Sequence, residues 1–272
     1  MSSAAMAATD PDRYITRWNL EPDGKSFSTR SSALFPVRQA GLPAILKIAK
    51  ESEEWRGGRL MIWWQGEGAA RVLAEDDGVL LLERATGPRS LVEMVHSGQD
   101  DEATRLLCAA ANRLHGHRAP LPAELVPLID WFAPLLKVDG PTGLVAQAQA
   151  IARELLADQQ EIVALHGDIH HGNILDAGMR GWIAIDPKGL LGDRAFDFVN
   201  ILRNPDDATA LVPARFARQV EVITEAAGLD RQRLLRWTLA FASLSAVWIL
   251  EEGDTPGSDL AVAAMARAAL EA

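Results

Sequence analysis

Short apolar and alternating segments fill the first third of the chain. Residues 44–49, 69–75 and 79–83 each have the length and pattern of a β-strand. The last two are joined by residues 76–78, whose sequence DDG is typical of a tight hairpin turn. These segments predict a small β-rich unit at the start of the chain.

A helix is expected between the first two of these strands, over residues 52–64. Ser52 suits the N-cap position, and the acidic Glu53 and Glu54 lie near the positive end of the helix dipole. Two adjacent glycines at positions 57 and 58 argue against this helix, because each costs about 1 kcal/mol relative to alanine in a helix interior.

From residue 87 onward the apolar positions follow the period of helices. Helices are predicted over residues 100–114, 144–157, 208–227 and 231–250. We therefore predict an α+β fold with two lobes. The β-rich N-terminal lobe, with a connector near its end, would occupy residues 1–86, and a larger helical C-terminal lobe would occupy residues 87–272.

Composition narrows the functional classes. Lys and Arg total 27 against 37 Asp and Glu, a formal net charge of -10 that argues against nucleic acid and anionic membranes as partners. The apolar residues 237–250 are too few for a membrane span, which needs about 20, and the first ten residues lack a signal-peptide pattern. Cys108 lies in an apolar run and is expected to be a buried thiol. We expect a cytoplasmic monomer.

Candidate chemistry concentrates where two apolar runs end. Residues 162–165 form a strand-like run that leads into residues 166–173, which read HGDIHHGN and contain two glycines typical of a loop. Residues 182–185 form a second run that ends at Asp186, 18 positions after Asp168. An Asp followed five positions later by Asn is the spacing of a kinase catalytic loop, and Asp186 then takes the place of the metal-binding Asp. Carboxylate and amide oxygens suit magnesium better than zinc.

Several of these segments resemble one family. Residues 166–173 resemble the H-G-D-L/I-H-x-x-N motif of the aminoglycoside phosphotransferases, a branch of the kinase-like fold. Resemblance to the streptomycin 6-kinase subfamily, also described as aminoglycoside and hydroxyurea resistance kinases, is carried by residues 60–73, 182–189, 192–197 and 200–205. It spans about residues 18–252. The resemblance implies a two-lobed protein-kinase-like fold and transfer of phosphate from ATP, with Mg²⁺, to a hydroxyl of a small cationic acceptor such as streptomycin.

The resemblance also implies roles for the motif residues. Asp168 would be the catalytic carboxylate that orients the attacking hydroxyl, and Asn173 and Asp186 would bind magnesium. Lys47, a lone charge in an apolar strand, would contact the α- and β-phosphates. An acidic residue of the next helix would orient it, Glu54 being our choice and Glu53 the competitor.

Further contacts implied by the resemblance lie in loops and helix ends. The backbone of Glu83 and Ala85 in the connector would bind the adenine edge. The glycine-rich phosphate loop of protein kinases is absent, and the hydroxyls of Ser31 and Ser32 are expected to contact the phosphates instead. Carboxylates suited to the guanidinium groups of streptomycin are expected at three positions, namely Asp193, Glu251 and Glu252.

Two residues near the motif have roles that are structural or open. Asp197 would fix the catalytic loop by hydrogen bonds, whereas Lys188 either reaches the phosphates or lies at the surface. Among the histidines, we expect His166 and His170 to brace the loop. His115 and His117 are interpreted as linker or surface residues.

Two other functions stay open from the residues alone. Residues 167–170 also begin like the G-D-x-H-G motif of two-metal phosphoesterases. However, His171 interrupts that motif, and no G-N-H-E/D follows to supply further metal ligands. The second alternative is a degenerate kinase that binds nucleotide without turnover, which the joint presence of the expected lysine, asparagine and two aspartates opposes.

Overall fold

The structure is a computed structural model that describes residues 10–116 and 120–272, so His117 lies outside the described residues. The strands are β1 (Leu20–Pro22), β2 (Phe27–Ser28), β3 (Ser32–Gln39), β4 (Leu42–Ala49), β5 (Val72–Asp76), β6 (Val79–Glu83), β7 (Val126–Pro127), β8 (Ile162–Leu165), β9 (Ile174–Asp176), β10 (Trp182–Ala184) and β11 (Leu190–Asp193).

The helices are α1 (Pro11–Arg17), α2 (Ser52–Trp64), α3 (Leu91–His96), α4 (Asp100–Leu114), α5 (Leu128–Trp131), α6 (Ala133–Leu136), α7 (Gly143–Ala157), α8 (Asp207–Ala210), α9 (Pro213–Ala227), α10 (Arg231–Glu251) and α11 (Gly257–Glu271). Two 3-10 helices span Gly178–Arg180 and Arg194–Arg203.

An antiparallel sheet of order β1-β3-β4-β6-β5, with β2 paired to β3, forms the N-terminal lobe. Consecutive side chains of a strand point to opposite sides, and the central strands β4 and β6 bury both sets. On β6, Val79 and Leu81 pack with Tyr14 of α1, whereas Leu80 and Leu82 join the larger core that contains the buried face of α2. The predicted β-rich lobe is confirmed.

Helix α2 occupies the predicted residues, but the expected N-cap is wrong. Glu51 is the capping residue, and its side chain makes no capping hydrogen bond. The two glycines are explained by close packing. A Cβ on Gly57 would lie 2.0 Å from the carbonyl oxygen of Pro187, and one on Gly58 would lie 2.9 Å from Cδ1 of Leu80. The helix therefore approaches both the sheet and the loop that follows Asp186.

The β5–β6 hairpin forms as predicted, although its first strand is shorter. Asp77 and Gly78 both have positive φ, 40° and 84°, as a tight hairpin turn requires. The strand begins at Val72 instead of residue 69, because the preceding residues pair elsewhere. Ala69 bridges to Ala184, and the N–H of Ala70 donates to the carbonyl of Ala184 at 2.9 Å. The start of this segment thus connects the two lobes.

Helix α10 forms the centre of the C-terminal lobe. It packs against α7, α11 and the 3-10 helix Arg194–Arg203. It is long and apolar enough to cross a membrane by length and composition, but 67% of its most apolar window is buried inside the protein. Such burial is that of a core helix. Cys108 is fully buried, as predicted.

One predicted helix is divided. The segment 208–227 contains α8 and α9, because Pro213 begins a new helix at its first turn. Proline lacks the N–H that a continuous helix would need there, and it disfavours a helical conformation at the residue before it.

Two small sheets bring the predicted site segments together. Strand β8 pairs antiparallel with β11, and β9 pairs antiparallel with β10. The loops that follow β8 and β10 are joined by backbone hydrogen bonds: Ile185 N–H donates to Asn173 O at 2.9 Å, and Lys188 N–H donates to His166 O at 2.7 Å. The loop that carries Asp168 and the loop that carries Asp186 therefore lie side by side.

Candidate active site

The loop after β8 is fixed by a buried carboxylate. Asp197 accepts hydrogen bonds from the N–H groups of His166 and Gly167 at 2.9 and 2.6 Å. His115 Nε2 lies 2.7 Å from Asp197 Oδ2, and both side chains are buried. Asp197 thus braces the loop as predicted. The interpretation of His115 as a linker or surface residue was wrong, because its ring lies in the core beside Phe198.

His166 joins the two loops in its neutral form. Its Nε2–H donates to the carbonyl of Ile185 at 2.8 Å, and its Nδ1 accepts the N–H of Asp168 at 3.2 Å. Burial lowers the pKa of His166, consistent with a neutral ring that donates once and accepts once. The ring stacks on Trp64 of α2, so the predicted bracing role extends to the N-terminal lobe.

The carboxylate of Asp168 has defined partners. Its Oδ1 accepts a hydrogen bond from Asn200 Nδ2 at 2.7 Å. Asn173 Nδ2 donates to the main-chain oxygen of Asp168 at 3.0 Å and approaches Oδ2 at 3.3 Å. His170, the second histidine expected to brace the loop, accepts the N–H of Gly172 at 3.0 Å. Asp168 is therefore held by polar neighbours, and the shorter hydrogen bond to its carboxylate is the one that Oδ1 accepts from Asn200.

Lys47 lies between two carboxylates. The side chain is buried on β4 and forms ion pairs with Glu54 of α2 and with Asp186. Burial alone would raise the pKa of Asp186, but the charge of Lys47 and its hydrogen bond lower it. The competitor Glu53 pairs instead with Lys188 at 2.9 Å. Of the two alternatives, the structure places Glu54 against Lys47.

Lys188 is not a free surface lysine. It lies beside the catalytic loop, and its side chain is mostly covered. Burial alone would lower the pKa of Lys188, but the negative charges of Glu53, Asp168 and Asp186 raise it. The lysine therefore stays protonated and contributes positive charge next to Asp168.

An interlobe cavity of about 290 Å³ opens between the sheet and the two loops. Its apolar walls are formed by Phe27, Leu34, Ile45, Leu82, Leu175 and Ile185. Its polar lining is formed by Thr29, Ser32, Lys47, Asn173 and Asp186, with Glu83, Arg84 and Ala85 of the connector at its edge. An apolar slot with a few convergent polar groups is the usual form of a small-molecule site.

The connector residues differ in what they offer. Within the described part of the chain, the backbone N–H and carbonyl of Ala85 have no hydrogen-bond partner. The N–H of Glu83 donates to Arg71 O at 2.9 Å, and the Glu83 carboxylate pairs with Arg180. The backbone of Ala85 is thus available to a ligand, whereas the side chain of Glu83 is engaged in structure.

The two serines predicted to contact phosphates lie in different surroundings. Ser32 lines the cavity, and its buried Oγ has no partner among the described residues. Ser31 is turned away, because its Oγ donates to Glu54 Oε1 at 2.6 Å. We therefore correct the expectation for Ser31, which braces the partner of Lys47. Thr29 lines the cavity but was missed, although it belongs to the same hydroxyl-rich stretch.

A C-lobe pocket of about 380 Å³ lies on the other side of Asp168. Its lining is formed by Trp131, Gly167, Asp168, His170, Lys188, Asn200, Arg203, Asn204, Phe241, Ser245 and Trp248. The rings of Trp131 and Trp248 meet edge to face, with centroids 5.3 Å apart. Sequence reasoning missed these aromatic residues, because they come from separate helices. Asn200 was also missed, although it begins the segment 200–205 that resembles the family, and that resemblance could have marked it as a site residue.

The acidic residues expected to bind the acceptor lie outside this pocket, and those expectations are corrected. Asp193 is buried, and it accepts hydrogen bonds from Arg233 Nε at 2.7 Å and from two backbone N–H groups. Its negative charge is therefore paired inside the C-terminal lobe. Glu251 and Glu252 stand at the exposed end of α10, beyond the pocket-lining turn, and Glu252 pairs with Arg30 at 2.7 Å.

Asn173 and Asp186 offer oxygen ligands at the floor of the interlobe cavity. Asn173 uses its Nδ2 toward Asp168, and its Oδ1 has no hydrogen-bond partner among the described residues. Amide and carboxylate oxygens fit magnesium that also contacts phosphate oxygens. No cluster of three or more His, Cys, Asp or Glu side chains suited to a metal occurs in the described ranges.

Comparison with known proteins gives concordant matches. The sequence model of one family, described as Aminoglycoside/hydroxyurea antibiotic resistance kinase, matches residues 17–253. Streptomycin 3''-kinase from Klebsiella pneumoniae is 47% identical over 266 residues, which cover 94% of this chain and 100% of that protein. Streptomycin 6-kinase from Streptomyces glaucescens is 34% identical over 260 residues, covering 89% and 83%.

Solved structures agree on the architecture. A crystal structure of a thermostable mutant of aminoglycoside phosphotransferase APH(4)-Ia, in ternary complex with ADP and hygromycin B, matches with a TM-score of 0.64. The match covers 98% of both chains at 15% identity. At this identity the likeness shows the fold alone, and it confirms the expected two-lobed kinase-like fold.

Proposed function

The chain belongs to the aminoglycoside/hydroxyurea antibiotic resistance kinase family, and we propose that it phosphorylates a hydroxyl group of streptomycin with ATP as the donor. As a member of that family it is a small-molecule phosphotransferase that uses an alcohol as acceptor. The observation that carries the proposal is the position of Asp168, which lines the C-lobe pocket and contacts Asn173 at the floor of the interlobe cavity. A donor and an acceptor bound in these two spaces would meet at one carboxylate.

The interlobe cavity is the proposed nucleotide site. Its apolar walls suit an adenine ring, and the free backbone groups of Ala85 suit the adenine edge. Lys47, oriented by Glu54, would contact the phosphates, with Ser32 and Thr29 nearby as hydroxyl donors. A structure of the same fold contains ADP, which supports ATP as donor. We further propose a cytoplasmic location, where ATP is available.

Asn173 and Asp186 are the proposed magnesium ligands. When bound, magnesium would neutralise charge on the phosphate oxygens during transfer. Lys47 pairs with Oδ1 of Asp186 and so fixes the carboxylate at the floor of the cavity. Because the Asn173 amide donates to Asp168, the same residue would link the metal site to the acceptor side.

Asp168 would orient the acceptor hydroxyl and accept its proton. Asn200 donates to Oδ1 of this carboxylate at 2.7 Å, whereas Asn173 approaches Oδ2 at the longer distance of 3.3 Å, so Oδ2 is the oxygen that would face the hydroxyl. Positioning and electrostatic stabilisation provide most of the catalysis in phosphoryl transfer, so a fixed carboxylate suits this task. Lys188, which lies beside Asp168, would stabilise negative charge as the group is transferred.

Streptomycin is the proposed acceptor, with its 3''-hydroxyl as the preferred position. This rests on the relative that is 47% identical over its whole length, which is named for that position. The positive charges of Lys188 and Arg203 in the C-lobe pocket are paired with Glu53 and Asp259, so a cationic acceptor meets little net repulsion. The faces of Trp131 and Trp248 would stack against its guanidinium groups.

The test is acceptor-dependent release of ADP from ATP and magnesium, measured by a coupled assay with purified protein. We expect release with streptomycin that vanishes in Asp168→Ala. ADP release with hydroxyurea but not with streptomycin would show that the protein is a kinase whose acceptor is hydroxyurea. Nucleotide binding without turnover for any acceptor in the panel would refute the proposal and favour the degenerate kinase.

A further inference from the structure

A chain of polar contacts runs from Asp168 to the last helix. Asn200 Nδ2 donates to Asp168 Oδ1 at 2.7 Å, and Arg203 Nη1 donates to Asn200 Oδ1 at 3.1 Å. Arg203 also donates to Ser245 Oγ at 2.9 Å and forms an ion pair with Asp259 of α11. Asn200 and Asp259 are buried, so these contacts are shielded from water.

The chain of contacts has a defined direction. A guanidinium can only donate hydrogen bonds, so the atom of Asn200 that faces Arg203 must be its oxygen. The amide NH₂ of Asn200 is thereby turned toward Asp168, where it can only donate to the carboxylate. Arg203 itself is fixed by Asp259 and by packing over the ring of Phe241, 5.0 Å from its centroid. The orientation of the catalytic carboxylate is therefore set from α11.

We propose that Asn200 and Arg203 are positioning residues that orient Asp168, and that Asp259 on α11 anchors them. This inference rests on the proposed function, since it assigns a purpose to the same carboxylate. It extends the site beyond the residues matched by the family, which end at 253, whereas Asp259 lies further along the chain. With Oδ1 bonded to Asn200, Oδ2 would be the oxygen that faces the acceptor hydroxyl.

The first test uses two substitutions of Asn200. Asn200→Ala removes the donor to Asp168. Asn200→Asp keeps the size of the side chain and strengthens the pairing with Arg203, but it places a second carboxylate against Asp168. We expect both variants to lower kcat about 100-fold, as a misplaced reacting group does. The KM for ATP should change less than about twofold, because Asn200 does not line the interlobe cavity.

Thermal stability separates positioning from folding. Asn200→Asp should stay folded, because the new carboxylate pairs with Arg203 although it repels Asp168, and yet it should be nearly inactive. If Asn200 were merely structural, Asn200→Asp, the variant of equal size, would keep a kcat close to that of the wild type. Asp259→Asn should lower kcat about tenfold by releasing Arg203, again with little change in the KM for ATP.

Matched controls exist elsewhere in the C-terminal lobe. Asn112 likewise accepts from an arginine, Arg194, at 3.0 Å, but it lies outside both cavities. Asn112→Ala and Asn112→Asp should keep the wild-type kcat.

The outcomes are distinct. Loss of kcat in the Asn200 variants alone, without a matching fall in Tm, supports the inference. A kcat for Asn200→Asp within about threefold of wild type overturns it, as does equal loss in the Asn112 variants. If wild-type protein shows no turnover with streptomycin or hydroxyurea, the proposed function fails first, and the positioning role fails with it.

Discussion

Gly57 offers the sharpest test of how α2 is coupled to the active site. A Cβ at this position would lie 2.0 Å from the carbonyl oxygen of Pro187, where real Cβ atoms stay beyond 3.0 Å. Backbone lies on both sides of this contact, so Gly57→Ala must move the helix or the loop by about 1 Å or more. One turn before Gly57 stands Glu54, and Pro187 directly follows Asp186; Lys47 pairs with both acids. Either displacement therefore disturbs the same ion-pair network.

The expected cost falls more on function than on folding. Overpacking typically destabilises by about 1–3 kcal/mol. The exchange of glycine for alanine in a helix offsets up to about 1 kcal/mol of this. A net loss of up to about 2 kcal/mol leaves a domain of ordinary stability folded. Misplacing Lys47 and Asp186 by about 1 Å should lower kcat/KM for ATP about 100-fold.

The assay compares Gly57→Ala with Gly58→Ala, its neighbour in the same helix. A Cβ on Gly58 would meet the side chain of Leu80, whose Cδ1, the far end of a flexible side chain, is nearest at 2.9 Å. We expect Gly58→Ala to keep kcat/KM within about threefold of wild type and to match or exceed its Tm. Wild-type activity in Gly57→Ala, or equal loss in both variants, would refute the coupling of α2 to the loop.

Four further predictions concern single side chains. Asp168→Ala should lower kcat about 10²–10⁴-fold while calorimetry shows nearly unchanged ATP binding, because a general base adds little ground-state affinity. Asp186→Asn should raise the magnesium concentration needed for half-maximal activity and weaken ATP binding. Trp248→Ala should raise the KM for streptomycin several-fold and leave that for ATP unchanged. Asp176, whose pKa the hydrogen bond from Arg89 lowers from 3.8 to about 2, should stabilise the protein above pH 4 and lose that contribution as the pH falls toward 2; Tm measured against pH for Asp176→Asn checks this.

Each of these has a result that would contradict it. Substantial turnover in Asp168→Ala would contradict the role of Asp168 as the catalytic carboxylate. Unchanged metal dependence in Asp186→Asn would reassign that residue to structure. Equal effects of Trp248→Ala on both substrates would indicate general damage to the lobe. A Tm of Asp176→Asn that falls as steeply with acid as the wild type would show that the pair with Arg89 contributes nothing.

The catalytic loops could be predicted because their information is local. Asp168 and Asn173 lie five positions apart, and together with Asp186, 18 positions after Asp168, this spacing indicates a kinase loop. Asp186 follows a short apolar run, residues 182–185, whose length favours a buried strand. Lys47 is also marked by its local sequence, because it is a lone charge in an apolar strand and a buried charge needs a partner. Its partner was not decided by spacing, because Glu53 and Glu54 are neighbours and only the rotation of α2 separates them.

Long-range contacts account for what the sequence did not predict. His115 and Asp197 meet across 82 positions, and no local pattern marks the histidine as buried. Asp193 was expected at the acceptor because it follows the metal loop, but Arg233, 40 positions later, neutralises it. Gly57 lowers helix propensity, and its reason lies entirely in tertiary packing. Propensity and spacing cannot report such pairings, because they depend on how distant elements dock.

Direct detection of the product tests the central claim most simply. Wild-type protein and Asp168→Asn, a variant of equal size, are incubated with ATP, magnesium and streptomycin, and the streptomycin is analysed by mass spectrometry. We expect wild type to convert streptomycin to a form heavier by one phosphoryl group, with fragments that place the phosphate at the 3''-hydroxyl, and Asp168→Asn to convert almost none. Unmodified streptomycin with both proteins, or equal conversion by the variant, would contradict it.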